Sequence, residues 1–213
     1  MQTIDLSHTI KRKKMMVYPG DPSVLIDEYL IHEQDYCHVD KININSHTGT
    51  HIDVPYHFIK NGKNTSDYSI ENFIKPGIVI DITEKKENEE ISISDFEKYD
   101  KKIIEECSIV IHTGWAKYFG TEKYLYHPYL GEDTAEYLAY KKVSIVALDT
   151  LSIDSTLDKV WNTHIALLSK EILIVENLNN LDKLNKDESY IFGFIPLKLE
   201  NSDGSPIRAF AMK

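Results

Sequence analysis

Side chains that could bind a metal ion are concentrated in residues 46–58. This segment contains three of the nine histidines of the chain, and its central part reads His47-Thr48-Gly49-Thr50-His51-Ile52-Asp53-Val54-Pro55-Tyr56-His57. Imidazole and carboxylate ligands together suit zinc, manganese or iron, and the lack of cysteine in the segment disfavours a closed, thiolate-rich structural site. The segment therefore predicts an open, catalytic metal site.

The spacing of these side chains indicates that the chain bends inside the segment. Alternate residues of an extended chain point to one side, and the potential ligands all have odd numbers: His47, His51, Asp53 and His57. A straight strand joining them would span roughly 33 Å at about 3.3 Å per residue, too far for one ion. Gly49 and Pro55 can supply the bends, because glycine tolerates unusual backbone angles and proline fixes its own φ. The alternative is that these histidines lie at the surface or in the core and share no role. Their common odd numbering on either side of two bends disfavours that alternative.

The same segment resembles the signature of a known enzyme family. The pattern His-x-Gly-Thr-His-x-Asp-x-Pro-x-His is similar to that of the cyclase family of metal-dependent hydrolases, and every fixed position is matched. The resemblance extends along nearly the whole chain, through residues 4–8, 18–22, 113–115, 149–154 and 206–211. It implies a metal-dependent hydrolase that uses zinc, one or two ions per chain, with manganese as the other candidate.

The second half of the site must come from elsewhere in the chain. Taken alone, His164 could be a hydrogen-bonded core histidine, and Glu176 could leave the apolar run 172–175 for solvent. A carboxylate buried beside such a run is costly unless a cation pairs with it. In the kynurenine formamidase branch of the family, the corresponding histidine and glutamate bind a second metal. The resemblance therefore implies a first ion at His47, His51 and Asp53, and a second at Asp53, His164 and Glu176, with Asp53 bridging.

The resemblance also implies roles for two residues outside the ligand sets. His57 is the family's candidate proton shuttle, and a further metal ligand is its alternative role. Tyr18 stands where kynurenine formamidases commonly have a tryptophan that packs on the ring of the substrate, so the ring pocket is expected to differ from theirs. Trp115 and Trp161 are further candidates for the pocket wall, but large aromatic side chains lie more often in the core, and neither is assigned to the site.

Metal ions and a proton shuttle together predict hydrolysis by water. Two divalent ions can lower the pKa of a shared water from about 16 toward about 7, so no side-chain nucleophile is needed. We expect the protein to hydrolyse a linear or cyclic carbon–nitrogen amide bond, with an aryl formamide such as N-formylkynurenine as the leading substrate and isatin-like cyclic amides second. A non-catalytic metal-binding or ligand-binding protein on the same fold is the third possibility, but it would have no need of an unligated His57.

Charge and composition narrow the partners. The chain of 213 residues has 34 acidic and 24 basic side chains and a formal net charge of -10, which disfavours binding to nucleic acid or anionic membranes. No apolar run approaches the ~18 residues that span a bilayer, and the first residues do not have the pattern of a signal peptide. We therefore expect a cytoplasmic protein with a small-molecule substrate. The resemblance adds assembly as a homodimer or homotetramer.

Strands are the main elements expected to position the site. Short β-branched runs predict strands at residues 42–44, 77–82, 108–112, 143–149, 172–176, 190–199 and 207–212. Capping residues and apolar spacing predict helices at residues 94–106 and 133–142. These elements predict a single α/β domain over residues 1–213 that is built on a mixed sheet. The resemblance adds a barrel-like, swivelling β/β/α arrangement.

Overall fold

A computed structural model describes residues 2–13 and 15–213. The strands of this part of the chain are β1 (Thr3–Asp5), β2 (Leu25–Leu30), β3 (Val39–Asn43), β4 (His51–Asp53), β5 (Ile74–Asp81), β6 (Glu90–Ile91), β7 (Ser108–His112), β8 (Tyr129–Leu130), β9 (Ile145–Leu148), β10 (Leu173–Glu176), β11 (Ser189–Gly193), β12 (Gly204–Pro206) and β13 (Phe210–Met212). The α-helices are α1 (His32–Asp35), α2 (Glu132–Tyr140) and α3 (Asn162–Leu168).

One mixed sheet of nine strands forms the centre of the molecule, in the order β1-β13-β11-β5-β7-β9-β10-β4-β12. Strands β5, β7, β9 and β10 are parallel to one another, and the flanking strands pair antiparallel. Every residue of β7, β9 and β10 is buried, as is usual for parallel strands covered on both faces. The predicted α/β fold with a mixed, barrel-like sheet is confirmed, because the sheet curls into a half-barrel.

Hydrophobic clusters cover both faces of this sheet. Successive residues of a strand point to opposite faces, so Ile109 and Ile111 join one cluster while Val110 joins the other. The first cluster also contains Leu138 of α2 and Leu167 of α3. Helix α3 is thereby held against the sheet next to β10, which matters for the site because this helix carries a predicted ligand.

Several predicted elements differ from the structure. Strand 108–112 is confirmed at both ends, but the strand predicted at 190–199 ends at Gly193. Beyond that end, Pro196 forms only an isolated bridge with Ile207. The helix predicted at 94–106 is a 3-10 helix, Ile93–Lys102, whose buried Phe96 and Tyr99 have the three-residue spacing that suits such a helix. In the described part of the chain, no helix is long and apolar enough to span a membrane.

Candidate metal centre

Two backbone bends bring the residues of the His-rich motif together. Gly49 has a φ of +64°, a left-handed conformation that favours glycine, and it precedes β4. His51 and Asp53 are two residues apart in β4, so their side chains point to the same face. Pro55 then begins a 3-10 turn, Pro55–His57, which carries His57 back toward the other side chains. The bends predicted at Gly49 and Pro55 are present in the structure.

Asp53 lies at the centre of the site and is fully buried. Its Oδ1 atom lies 2.7 Å from Nδ1 of His47 and 3.4 Å from Nε2 of His51. Its Oδ2 atom lies 3.7 Å from Nε2 of His164 and has no hydrogen-bond partner among residues 2–13 and 15–213. A buried carboxylate oxygen without a partner is unfavourable, so this atom is suited to a cation.

Strand β10 and helix α3 supply the opposite side of the site. Strand β10 pairs antiparallel with β4 and places Glu176 opposite His51. The two carboxylate oxygens of Glu176 lie 3.4 Å from Nε2 of His51 and 3.3 Å from Nε2 of His164. All three side chains are buried. Residues far apart in the sequence therefore converge on one point beside Asp53.

Hydrogen bonds fix the orientation of two of the histidine rings. Nδ1 of His51 lies 2.8 Å from the carbonyl oxygen of Gly49, and Nδ1 of His164 lies 2.6 Å from Oδ2 of Asp154. Each ring therefore turns its Nε2 atom toward the buried carboxylates. Metal-binding histidines commonly donate the other ring N–H to a carbonyl or carboxylate in this way. The donor atoms and their orientation fit a divalent metal ion.

The potential ligands form two overlapping clusters. Donor atoms of His51, Asp53 and Glu176 lie within 4.8 Å of one another, and so do those of His47, Asp53 and His57. Asp53 belongs to both, as expected for a bridging carboxylate. The grouping differs from the expected ligand sets, because His51 is grouped with Glu176 and because His57 is close enough to be a ligand. The individual roles of these residues remain predictions.

Sequence reasoning missed Asp203, which contacts two of the motif histidines. Its Oδ2 atom lies 2.9 Å from Nε2 of His47 and 3.3 Å from Nδ1 of His57. Asp203 immediately precedes β12, and its carbonyl oxygen accepts a hydrogen bond from the backbone of Val54. Asp203 is 146 residues from His57 in the sequence, and an Asp-Gly pair is typical of any turn, so no local pattern identified it.

Opposing effects set the pKa values of the buried groups. Burial lowers the pKa of His47 and of His51, but nearby carboxylates together outweigh it, so the pKa values rise to about 9 and about 10. Asp53 acts on both rings, Asp203 also acts on His47, and Glu176 also acts on His51. Burial likewise opposes ionisation of Glu176, yet its contacts with His164 and His51 lower its pKa to about 2. Without a metal, the site is thus a set of ion pairs between imidazolium and carboxylate groups.

These pKa values predict that metal binding releases protons. An imidazole binds a metal only in its neutral form, so an ion must displace the protons that His47 and His51 retain up to a pH of about 9 and about 10. Affinity for zinc or manganese should therefore continue to increase between pH 6 and pH 8, whereas unperturbed histidines would level off near pH 6.5. Calorimetry at pH 7.5 in buffers of different ionisation enthalpy should detect the released protons, and binding without proton release would contradict the prediction.

A cavity of about 400 Å³ opens onto the candidate ligands. Its wall contains three aromatic side chains, Tyr18, Phe58 and Trp161. The ring centroid of Trp161 lies 5.6 Å from that of Tyr18 and 5.8 Å from that of Phe58. Trp161 therefore belongs to the site, although the sequence did not assign it. Trp115 is buried in a separate cluster and does not line the cavity.

Known proteins are similar in sequence to this chain over nearly its whole length. The family model described as "Putative cyclase" matches residues 4–155. The chain is 31% identical over 208 residues to a kynurenine formamidase of Bacillus thuringiensis subsp. konkukian, covering 97% of this chain and 95% of that protein. It is 31% identical over 212 residues to a kynurenine formamidase of Geobacillus thermodenitrificans, covering 99% and 97% respectively.

Solved structures have the same fold. An isatin hydrolase bound to the product analogue thioisatinate superposes with a TM-score of 0.90 at 24% identity, over 99% of this chain and 91% of that one. A predicted metal-dependent hydrolase from Bacillus stearothermophilus gives a TM-score of 0.81 at 26% identity, over 99% and 97% respectively. The chain belongs to the cyclase family, and the prediction of a metal-dependent hydrolase of this family is confirmed.

Proposed function

We propose that the protein hydrolyses the carbon–nitrogen bond of an aryl formamide, with N-formylkynurenine as the leading substrate. The observation that carries this proposal is the aromatic-lined cavity that opens directly onto the buried cluster around Asp53. An aromatic substrate can pack against Tyr18, Phe58 and Trp161 while its amide carbonyl approaches the predicted metal ligands. Two full-length relatives named kynurenine formamidase support the same substrate class.

The side chains divide into three tasks in this proposal. His47, His51, Asp53, His164 and Glu176 would hold one or two zinc ions, with manganese as the other candidate. Such an ion, when bound, lowers the pKa of water and polarises a carbonyl group. His57 is the proposed proton shuttle. It lies beside these ligands, and Nδ1 is 3.3 Å from Oδ2 of Asp203, so the ring is oriented by a partner other than Asp53.

The proton balance of the reaction explains why a shuttle is needed. Water adds to the formamide carbon, the carbon–nitrogen bond breaks, and the departing aniline nitrogen must gain a proton. A histidine at the cavity wall can take the proton that water loses and deliver it to that nitrogen. The aromatic side chains of the cavity wall would exclude solvent from the ring of a bound substrate, which favours aryl over aliphatic amides.

A substrate panel tests the proposed function. Purified protein loaded with zinc, and separately with manganese, is assayed with N-formylkynurenine, formanilide, isatin, an aryl lactone and an aliphatic formamide. We expect the aryl formamides to give the highest kcat/KM. A higher kcat/KM for isatin or for the lactone would show that the substrate is not an aryl formamide. Absence of turnover of every compound with either metal would contradict the proposal.

Tyr18 provides a more specific prediction about this cavity. Its ring is part of the wall. In the proposed binding mode it packs on the aryl ring of the substrate and not on the carbonyl that reacts, so this contact should stabilise the ground state and the transition state about equally. Tyr18→Ala should therefore raise KM for aryl formamides about 2- to 10-fold and leave kcat nearly unchanged, with little effect on an aliphatic formamide. Tyr140→Ala is a matched control, because Tyr140 is 82% exposed and does not line the cavity. Equal effects on aryl and aliphatic substrates would assign Tyr18 a structural role.

The remaining expectations concern assembly and location. We propose a homodimer or homotetramer, because the ribbon formed by β2 and β3 pairs with no other strand of the described chain and leaves apolar side chains exposed, with Tyr29 at 69% and Ile42 at 60%. Sedimentation equilibrium would measure the oligomeric state directly. A single functional domain over residues 1–213 and a cytoplasmic location remain predictions.

A further inference from the structure

Asn177 lies at the edge of the active-site cavity, immediately after Glu176. It is 2% exposed and lines the cavity together with the predicted metal ligands. A polar side chain so placed needs hydrogen-bond partners, because leaving it unpaired in a buried position is unfavourable.

The side-chain oxygen of Asn177 has a hydrogen-bond partner in the protein, whereas its side-chain nitrogen has none among the described residues. The Oδ1 atom accepts a hydrogen bond of 3.0 Å from the hydroxyl group of the fully buried Tyr124, whose second and longer contact is with the carbonyl oxygen of Asp149 at 3.3 Å. The Nδ2 atom makes no hydrogen bond with any residue of 2–13 and 15–213. Since Tyr124 holds the oxygen on the protein side, the two N–H donors are left for a molecule in the cavity.

The backbone of Asn177 is held as firmly as its side chain. Its φ is +57°, a left-handed conformation that asparagine and glycine adopt more readily than other residues. Its N–H donates to the carbonyl oxygen of Thr150 at 2.9 Å, and its carbonyl oxygen accepts from Oγ1 of Thr50 at 2.6 Å. The donor is therefore preorganised before any substrate arrives, which is what electrostatic stabilisation of a transition state requires.

We propose that Asn177 is a catalytic residue whose side-chain N–H donates to the carbonyl oxygen of the substrate. This inference rests on the proposed amide hydrolysis. When the oxygen of water bonds to the carbonyl carbon, the π electrons move onto the carbonyl oxygen, and this negative charge strengthens the hydrogen bond from Asn177. The electron pair on this oxygen re-forms the carbonyl double bond when the carbon–nitrogen bond breaks and the departing nitrogen takes a proton. The amide donor therefore binds the transition state more strongly than the ground state.

Asn177→Gly is the most informative variant, because glycine accepts the left-handed φ and loses only the side chain. We expect kcat on the best aryl formamide to fall about 100- to 1,000-fold, with little change in KM and with wild-type metal content. Asn88→Gly is the matched control. Asn88 has a φ of +55°, is exposed, and does not line the cavity, so its kcat should equal that of the wild type.

A second variant tests how Asn177 is oriented. Tyr124→Phe removes the hydroxyl group that holds Oδ1, so the amide can rotate and present its oxygen to the substrate. We expect an intermediate loss of kcat, smaller than that of Asn177→Gly, with unchanged metal content. This graded order separates a donor role from a general loss of stability, which thermal denaturation of each variant measures independently.

The outcomes distinguish this inference from the function on which it rests. Wild-type turnover together with normal kcat in Asn177→Gly would overturn the role of Asn177 alone. A rise in KM without a fall in kcat would also overturn it, because it would indicate uniform binding of the substrate. Absence of wild-type turnover across the whole panel would remove the proposed function and the catalytic role of Asn177 with it.

Discussion

Asp53→Ala should remove the bound metal and nearly all activity. Asp53 is the residue shared by both ligand clusters, and its fully buried carboxylate contacts both His47 and His51. Without it, three of the surrounding histidines have lost a negatively charged partner, and neither ion keeps its full ligand set. We expect the loss of metal affinity to exceed the roughly 10- to 100-fold that removal of an outer-shell partner causes, and kcat/KM should fall with it.

Elemental analysis of purified protein measures the metal content of this variant directly. Asp182→Ala serves as the control, because Asp182 is exposed and does not line the cavity that opens onto the candidate ligands. His164→Ala and Glu176→Ala should lose mainly one ion. Retention of both ions by Asp53→Ala would contradict the bridging role, whereas loss of one ion alone would make Asp53 an ordinary ligand. Asp53→Asn keeps the shape of the side chain and removes its charge, so it provides the same test if the alanine variant does not fold.

His57→Ala is expected to keep its metal and lose catalytic rate. Its role as proton shuttle predicts a fall in kcat of about 100- to 10,000-fold, the usual contribution of general acid–base catalysis. Its donor atom is near His47 and Asp53, so the measurement must also include metal content. Steady-state kinetics of the zinc-loaded variant, beside elemental analysis, separates the two roles.

Each alternative for His57 has a distinct result. Loss of an ion in His57→Ala would show that His57 is a metal ligand. An unchanged rate with full metal content would show that water, and not His57, transfers the proton. His38→Ala is a suitable control, because His38 is a partly exposed histidine outside the cavity. Asp203→Asn should reduce kcat less than His57→Ala does, since Asp203 contacts the ring of His57 without lying on the proposed path of the proton.

The part of the site that is local in sequence could be predicted from sequence alone. His51 and Asp53 share a face because they are two residues apart in an extended segment, and Gly49 bends the chain because its φ is positive. The buried strand at 108–112 was equally predictable, because its central residues Ile109, Val110 and Ile111 are β-branched and favour a strand. His164 and Glu176 required the family resemblance, since neither residue has a local pattern that identifies a ligand.

The rest of the site depends on contacts between distant segments. Asp203 reaches His57 from the loop before β12, and Trp161 enters the cavity wall just before α3. Asn177 is distinguished only by the hydrogen bond that its side-chain oxygen, and not its nitrogen, makes within the protein. Such features follow from how strands β4, β10 and β12 pair, and pairing between remote strands is not encoded in the spacing of any single segment.

Chelation and reconstitution test the central claim most directly. The rate of N-formylkynurenine hydrolysis is measured for protein treated with a chelator, for the same protein after zinc or manganese is restored, and for Asp53→Ala treated identically. We expect chelation to abolish turnover and one or two equivalents of metal per chain to restore it, whereas the variant should not recover. Full activity in the chelated, metal-free protein, or recovery of Asp53→Ala to the wild-type rate, would contradict the assignment of this site.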